Sequence, residues 1–247
     1  MRRRLEKIYS PAIERDMEVL AYGHYGVPVL AFPSGGGQFH DFEDNGMVNA
    51  LAPLIEGGKI KLYCPPSLDN DSWLNGGADV YWKGVNHNKY QDFIVNNLVP
   101  AIRVDCQTPD IPITLTGCSL GGYHAANFAL KFPQLFNYAL CMSGRYDLET
   151  VIGGGYGNMD VYYNNPLAYV ANLHGEALDQ IRQHTFITLV CGQGAWEDKC
   201  LDETHRLADL LVSKEIPHER AIWGHDVEHH WHWWRIQIAH FFSLRFG

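Results

Sequence analysis

The sequence predicts an α/β architecture, a central mostly parallel sheet flanked by helices and preceded by an antiparallel hairpin. Two observations lead there. Short apolar, β-branched runs recur along the chain at Val27–Phe32, Ile60–Cys64, Ile113–Thr116, Tyr138–Met142 and Phe186–Cys191, each ending in turn-forming residues. Between most of them lie segments with apolar residues at helical spacing, and strands alternating with helices build parallel sheets through crossover connections.

The elements follow in order. The runs around Leu5–Tyr9 and Met17–Tyr22 read as a hairpin ahead of the first crossover. Helices are expected over Tyr90–Arg103, where Phe93, Ile94, Leu98 and Ile102 share a face, over Leu120–Lys131, over Asp202–Lys214, and over the tail from about Trp231 to Phe242. With no internal repeat or low-complexity tract, residues 1–247 read as one domain. A chain of 247 residues is long enough to bury a core without disulfide or metal staples.

Composition narrows the function classes. No apolar run approaches the ~20 residues a membrane helix needs. The formal charge of −9 repels nucleic acid and anionic lipid, which leaves a small-molecule substrate, and a homo-oligomer remains compatible. Met1-Arg2-Arg3-Arg4 resembles the basic start of an export signal, but Leu5-Glu6-Lys7-Ile8 follows in place of an apolar segment. Six cysteines without regular spacing, several in apolar runs, suit buried thiols in a reducing compartment, so the expected location is cytoplasmic.

In open α/β sheets the chemistry lies in loops at the carboxyl ends of the strands. The run Ile113–Thr116 leads into Gly117-Cys118-Ser119-Leu120-Gly121-Gly122, and a helical pattern continues through Ala125, Ala126, Phe128 and Leu130. A serine raised on a sharp strand-to-helix turn needs glycines on either side, because Cβ atoms there would collide with neighbouring backbone. Bare G-x-S-x-G is a weak pattern, and the strand and helix around it carry the inference. Ser119 is therefore the candidate nucleophile, and Cys118 is read as a small residue packed behind the turn.

After Val27–Phe32, Pro33-Ser34-Gly35-Gly36-Gly37-Gln38 forms a second glycine-rich turn at a strand end. A tetrahedral oxyanion beside Ser119 would be held by the N–H of Leu120 and one from this turn, taken as Gly36. No Gly-Lys-Ser/Thr follows, which argues against a phosphate loop. The triad order Ser, acid, His places the acid in the loop after Phe186–Cys191. There Glu197 is the first candidate and Asp198 the alternative, since either could instead cap the following helix. The base comes from the C-terminal run, where position alone leaves His225, His229, His230 and His232 open. His124, close to Ser119 in sequence, reads as an ordinary surface or core histidine, with lining of the pocket as the alternative.

With these motifs assembled, the chain resembles the putative-esterase family of α/β-hydrolases, which includes esterase D type S-formylglutathione hydrolases, feruloyl esterases and mycobacterial mycolyltransferases. The resemblance spans nearly the whole chain: the Pro33–Gly37 turn, the helix containing Leu98-Val99-Pro100, Gly117–Gly122, Phe132-Pro133-Gln134-Leu135-Phe136, Met142-Ser143-Gly144 and the C-terminal His/Trp cluster. It implies an α/β-hydrolase fold, no cofactor and a serine esterase acting through an acyl-enzyme. In that family the catalytic histidine begins an H-x-W-x-x-W pattern, which selects His229, with His225 second. Ser34 and Gly36 stand where many relatives carry other residues. Family members share a triad and differ in acyl group, so the pattern speaks to mechanism rather than substrate.

Three rivals have their own signatures. Acyl transfer to an acceptor other than water would use the same triad. A binding protein on this fold would not need a serine, carboxylate and histidine in this order. A metal-dependent hydrolase would read His225-Asp226-Val227-Glu228-His229 as H-x-x-E-H, placing both histidines on one helix face with His225, Glu228 and His229 at the metal. Gly224 before the run and the lack of any Asp or Glu beyond Glu228 speak against that rival.

Overall fold

The computed structural model describes residues 1–154 and 157–247. Among the described residues, eight strands form one sheet: β1 (Arg3–Ser10), β2 (Arg15–Tyr22), β3 (Val27–Phe32), β4 (Ile60–Cys64), β5 (Ile113–Cys118), β6 (Phe136–Met142), β7 (Phe186–Cys191) and β8 (His218–Ile222). Their order is β1-β2-β4-β3-β5-β6-β7-β8. The β1/β2 hairpin, with Leu5 opposite Leu20, joins antiparallel to β4, and all strands from β3 onward run parallel. This is the α/β-hydrolase fold. Arg3 and Arg4, near the start of the chain, are part of β1.

Strands β3 to β6 are buried almost throughout because helices cover both faces, which explains their near-continuous apolar sequence. Alternate residues serve the two sides. Leu30, Leu115, Ala139 and Ile187 pack beneath the helix Leu120–Lys131 and its neighbours. Val29, Ala31, Leu140 and Val190 face the C-terminal helix Trp231–Phe246 through Trp234, Ile238 and Phe242.

Differences from the sequence reading have local causes. β8, absent from the expectation, reads His-Glu-Arg-Ala-Ile and is a partly exposed edge strand, where charge discourages further pairing and masks the apolar signal. The helix expected from Tyr90 begins at Val80, capped by Asp79, whose carboxylate accepts the Tyr81 N–H at 2.8 Å. Its first turns include Gly84, where a Cβ would press on the side chain of Asp160, so close packing against another helix replaces an apolar stripe. It then passes through a π-helical stretch, Phe93–Leu98, just before Pro100, which has no N–H to donate back along the helix.

Candidate active site

Ser119 sits where β5 becomes the helix Leu120–Lys131, with φ 57° and ψ −123°. A non-glycine residue at positive φ carries strain of about 1–3 kcal/mol, so surrounding contacts must hold it there. They do so through glycine. A Cβ at Gly117 would strike the Gly121 backbone, one at Gly121 would strike the carbonyls of Phe32 and Pro33, and one at Gly122 would lie 3.0 Å from the Met142 carbonyl. The Ser119 N–H donates to that Met142 carbonyl at 2.9 Å, tying the turn to β6. Ser119 stays partly exposed at the surface of a cleft. Cys118 points the other way, fully buried, and burial pushes its thiol well above the usual range.

After β7 the chain turns through Gly192-Gln193-Gly194, and the Gly194 N–H donates to the Val227 carbonyl at 2.8 Å. A Cβ at Gly192 would overlap that same carbonyl. The loop ends on Trp196 at φ 67°, exposed, which turns Glu197 inward to complete burial at the start of the helix Asp198–Ser213. The His229 N–H donates to the Ala195 carbonyl at 3.0 Å, so the two loops are laced together. His229 Nδ1 lies 3.2 Å from Glu197 Oε2, and Nε2 lies 3.0 Å from Ser119 Oγ. The ring is held edge-on to Trp234 at 4.8 Å.

The structure thus brings Ser119, Glu197 and His229 into one chain of hydrogen bonds. Asp198 is exposed on the cleft, and its neighbour Glu197 fills the position beside the imidazole. His225 and Glu228 are exposed in the loop before the last helix. The H-x-x-E-H run is not helical, so the shared helix face that a metal-dependent hydrolase would require does not form.

The Leu120 N–H is the first of its helix and has no acceptor within it, which directs a donor and the positive helix end toward Ser119. Gly36 adopts φ +71°, and its N–H donates to Asp69 Oδ2 at 3.2 Å. The Ser34 N–H donates to Asp41 at 2.9 Å, bracing the same turn. Asp69 is buried, and its other oxygen lies 2.9 Å from Nε2 of His124, which is fully buried under the turn rather than in the cleft.

The cleft has a volume of about 350 Å³, and Arg145, Trp196, Lys199 and Cys200 line it together with Ser119 and His229. A larger hollow of about 590 Å³, beside Gly26, Lys59 and Asp105, contains none of the residues singled out above.

The model of the family described as "Putative esterase" matches residues 10–242. The chain belongs to that esterase family. It is accordingly a carboxylic ester hydrolase. No curated protein sequence matches it. Among solved structures, the esterase is similar to a ferulic acid esterase at 14% identity and TM-score 0.74, covering 99% of this chain and 97% of the other. It is similar to Mycobacterium tuberculosis MPT51 (FbpC1) at 16% identity and TM-score 0.75, covering 100% and 98%. It is also similar to the Staphylococcus aureus S-formylglutathione hydrolase FrmB at 13% identity and TM-score 0.70, covering 100% and 97%. At such identities the likeness shows the fold.

Three residues at the esterase's site escaped sequence reading. Ser143, at φ 48°, donates from Oγ to Glu197 Oε1 at 2.6 Å and accepts from Trp234 Nε1 at 3.0 Å. Cys200 places Sγ 3.7 Å from His229 Nδ1. Ser143 lay in the Met142-Ser143-Gly144 run and Trp234 closed the H-x-W-x-x-W pattern, but neither was given a role at the site; nothing in sequence marked Cys200.

Proposed function

We propose that this esterase works through an acyl-enzyme on Ser119, with His229 as general base and acid and Glu197 as its partner. The hydrogen-bond chain from Ser119 Oγ through His229 to Glu197 carries this reading. In the attack, His229 Nε2 takes the Ser119 proton as Oγ bonds to the ester carbonyl carbon. The buried Glu197 carboxylate holds the Nδ1 proton and stabilises the imidazolium. His229 then gives the proton to the departing alkoxide, and water repeats the sequence on the acyl-enzyme.

The Leu120 N–H supplies the first oxyanion donor. Gly36 supplies the second, which requires its N–H to exchange Asp69 for the oxyanion. The His229 side chain keeps 20% of its surface exposed, so water has access to the acyl-enzyme. The substrate is a small-molecule ester. Six free cysteines, mostly buried, fit a reducing compartment such as the cytoplasm. A fluorophosphonate probe should label wild type at Ser119 and leave Ser119→Ala unlabelled. Labelling at another residue, with hydrolysis intact in Ser119→Ala, would overturn the reading.

A further inference from the structure

Glu197, Cys200 and His229 come from two segments distant in sequence, yet each offers a ligand atom within 4.8 Å of the others. The two separations from His229 Nδ1 resemble those of a metal centre. A tetrahedral ion with bonds of about 2.0–2.2 Å to nitrogen and oxygen and about 2.3 Å to sulfur sets N–O and N–S edges of about 3.4 and 3.6 Å. Here His229 Nδ1 lies 3.2 Å from Glu197 Oε2 and 3.7 Å from Cys200 Sγ. Cys200 is almost fully buried yet is among the residues lining the cleft beside Ser119. Thiolate, imidazole and carboxylate together suit a thiophilic divalent cation such as Zn²⁺ over Mg²⁺ or Ca²⁺.

We propose that Glu197, Cys200 and His229 form an inhibitory Zn²⁺ site that disables the esterase by capturing the catalytic histidine from behind. The proton balance explains the inhibition. Cys200 loses its thiol proton to solvent as the Sγ–Zn bond forms. The ion takes the lone pair at His229 Nδ1, and the ring proton moves to Nε2. Nε2 then donates to Ser119 Oγ and can no longer accept its proton. One proton is released per ion bound, and nothing is oxidised or reduced. The ion also occupies the carboxylate oxygen that otherwise holds the imidazole. Inhibition, though not binding, rests on the proposed role of His229.

Co²⁺ serves as a spectroscopic stand-in, titrated into wild type and into Ser119→Ala under a non-thiol reductant. The expected result is a thiolate-to-cobalt charge-transfer band in both proteins, lost on adding Zn²⁺. In wild type, hydrolysis of a short p-nitrophenyl ester should fall over the same Zn²⁺ range and return with EDTA. Cys200→Ala should lose the band and need at least about tenfold more Zn²⁺ to halve its own uninhibited rate. Cys200→Ser carries the same expectation should the alanine variant fail to fold. A missing thiolate band in Ser119→Ala would overturn the site independently of catalysis. Undiminished Zn²⁺ sensitivity in both Cys200 variants would overturn it too, assigning the effect to the exposed histidines His225, His230 and His232. Binding without inhibition in wild type would overturn the inhibitory role.

Discussion

Ser143 Oγ stands 2.6 Å from Glu197 Oε1, a hydrogen bond inside the protein between the end of β6 and the loop after β7. It occupies the carboxylate oxygen that His229 does not use, and the indole N–H of Trp234 completes the hydroxyl's partners at 3.0 Å. Removing it leaves a buried carboxylate oxygen and a buried N–H without partners, a cost of about 1–3 kcal/mol for each such group. Ser143→Ala should therefore lower the melting temperature and also lower kcat, since Glu197 is freed to turn from the imidazole. Thermal denaturation together with steady-state kinetics on a short ester checks both; unchanged kcat would mean that Glu197 holds its position without Ser143.

Ser119→Ala should lower kcat by ~10⁴-fold or more, leaving only binding and the oxyanion donors. Cys118→Ala should keep most activity, because the thiol is packed on the far side of the turn. Kinetics of the two variants side by side tests the pair, and a well-folded but inactive Cys118→Ala protein would reassign the nucleophile.

Glu197→Gln should reduce kcat by about 10³–10⁴, since the neutral amide leaves the imidazolium without its counter-charge. Asp198→Asn, on an exposed carboxylate, should change kcat little. The reverse ranking would move the acid to Asp198.

His229→Ala should be nearly inactive and His225→Ala substantially active, and EDTA should not lower the rate of either wild type or His225→Ala. A rate abolished by EDTA, restored by Zn²⁺ and retained in Ser119→Ala would instead describe a metal-dependent hydrolase.

Burial pushes the Lys131 ammonium down to about 8 from its ordinary 10.5, partly opposed by the charge of Asp160. Between those two values the unfolded chain keeps a proton that the folded chain has released, so folding stability rises with pH across the window. Wild type should gain stability relative to Lys131→Met from pH 8 toward 10.5, and denaturant titrations along that series read the trend. A difference that shrinks with rising pH would contradict the assigned direction.

Adjacent residues determined much of this protein. The Gly117–Gly122 turn was legible because its requirement is steric and local, with glycines within a few residues of Ser119 and an apolar strand and helix on either side. The parallel strands β3, β4 and β7 were legible to the residue because burial on both faces writes a nearly continuous apolar run. Edge strand β8 and the polar first turns of the helix from Val80 were not, because exposure and close helix contact erase the periodic signal. Among four C-terminal histidines, chain position alone left the choice open and the H-x-W-x-x-W pattern favoured His229; tertiary structure sets that ring, 110 residues from Ser119, against Oγ. The same holds for Glu197 beside Asp198, where the backbone turn at Trp196 sends one carboxylate inward and leaves the other in water. Ser143, Trp234 and Cys200 reach the site only because strand register and loop lacing bring distant segments together. Hydrogen-bond partners of that kind depend on geometry accumulated over the whole sheet, which no short stretch of sequence encodes.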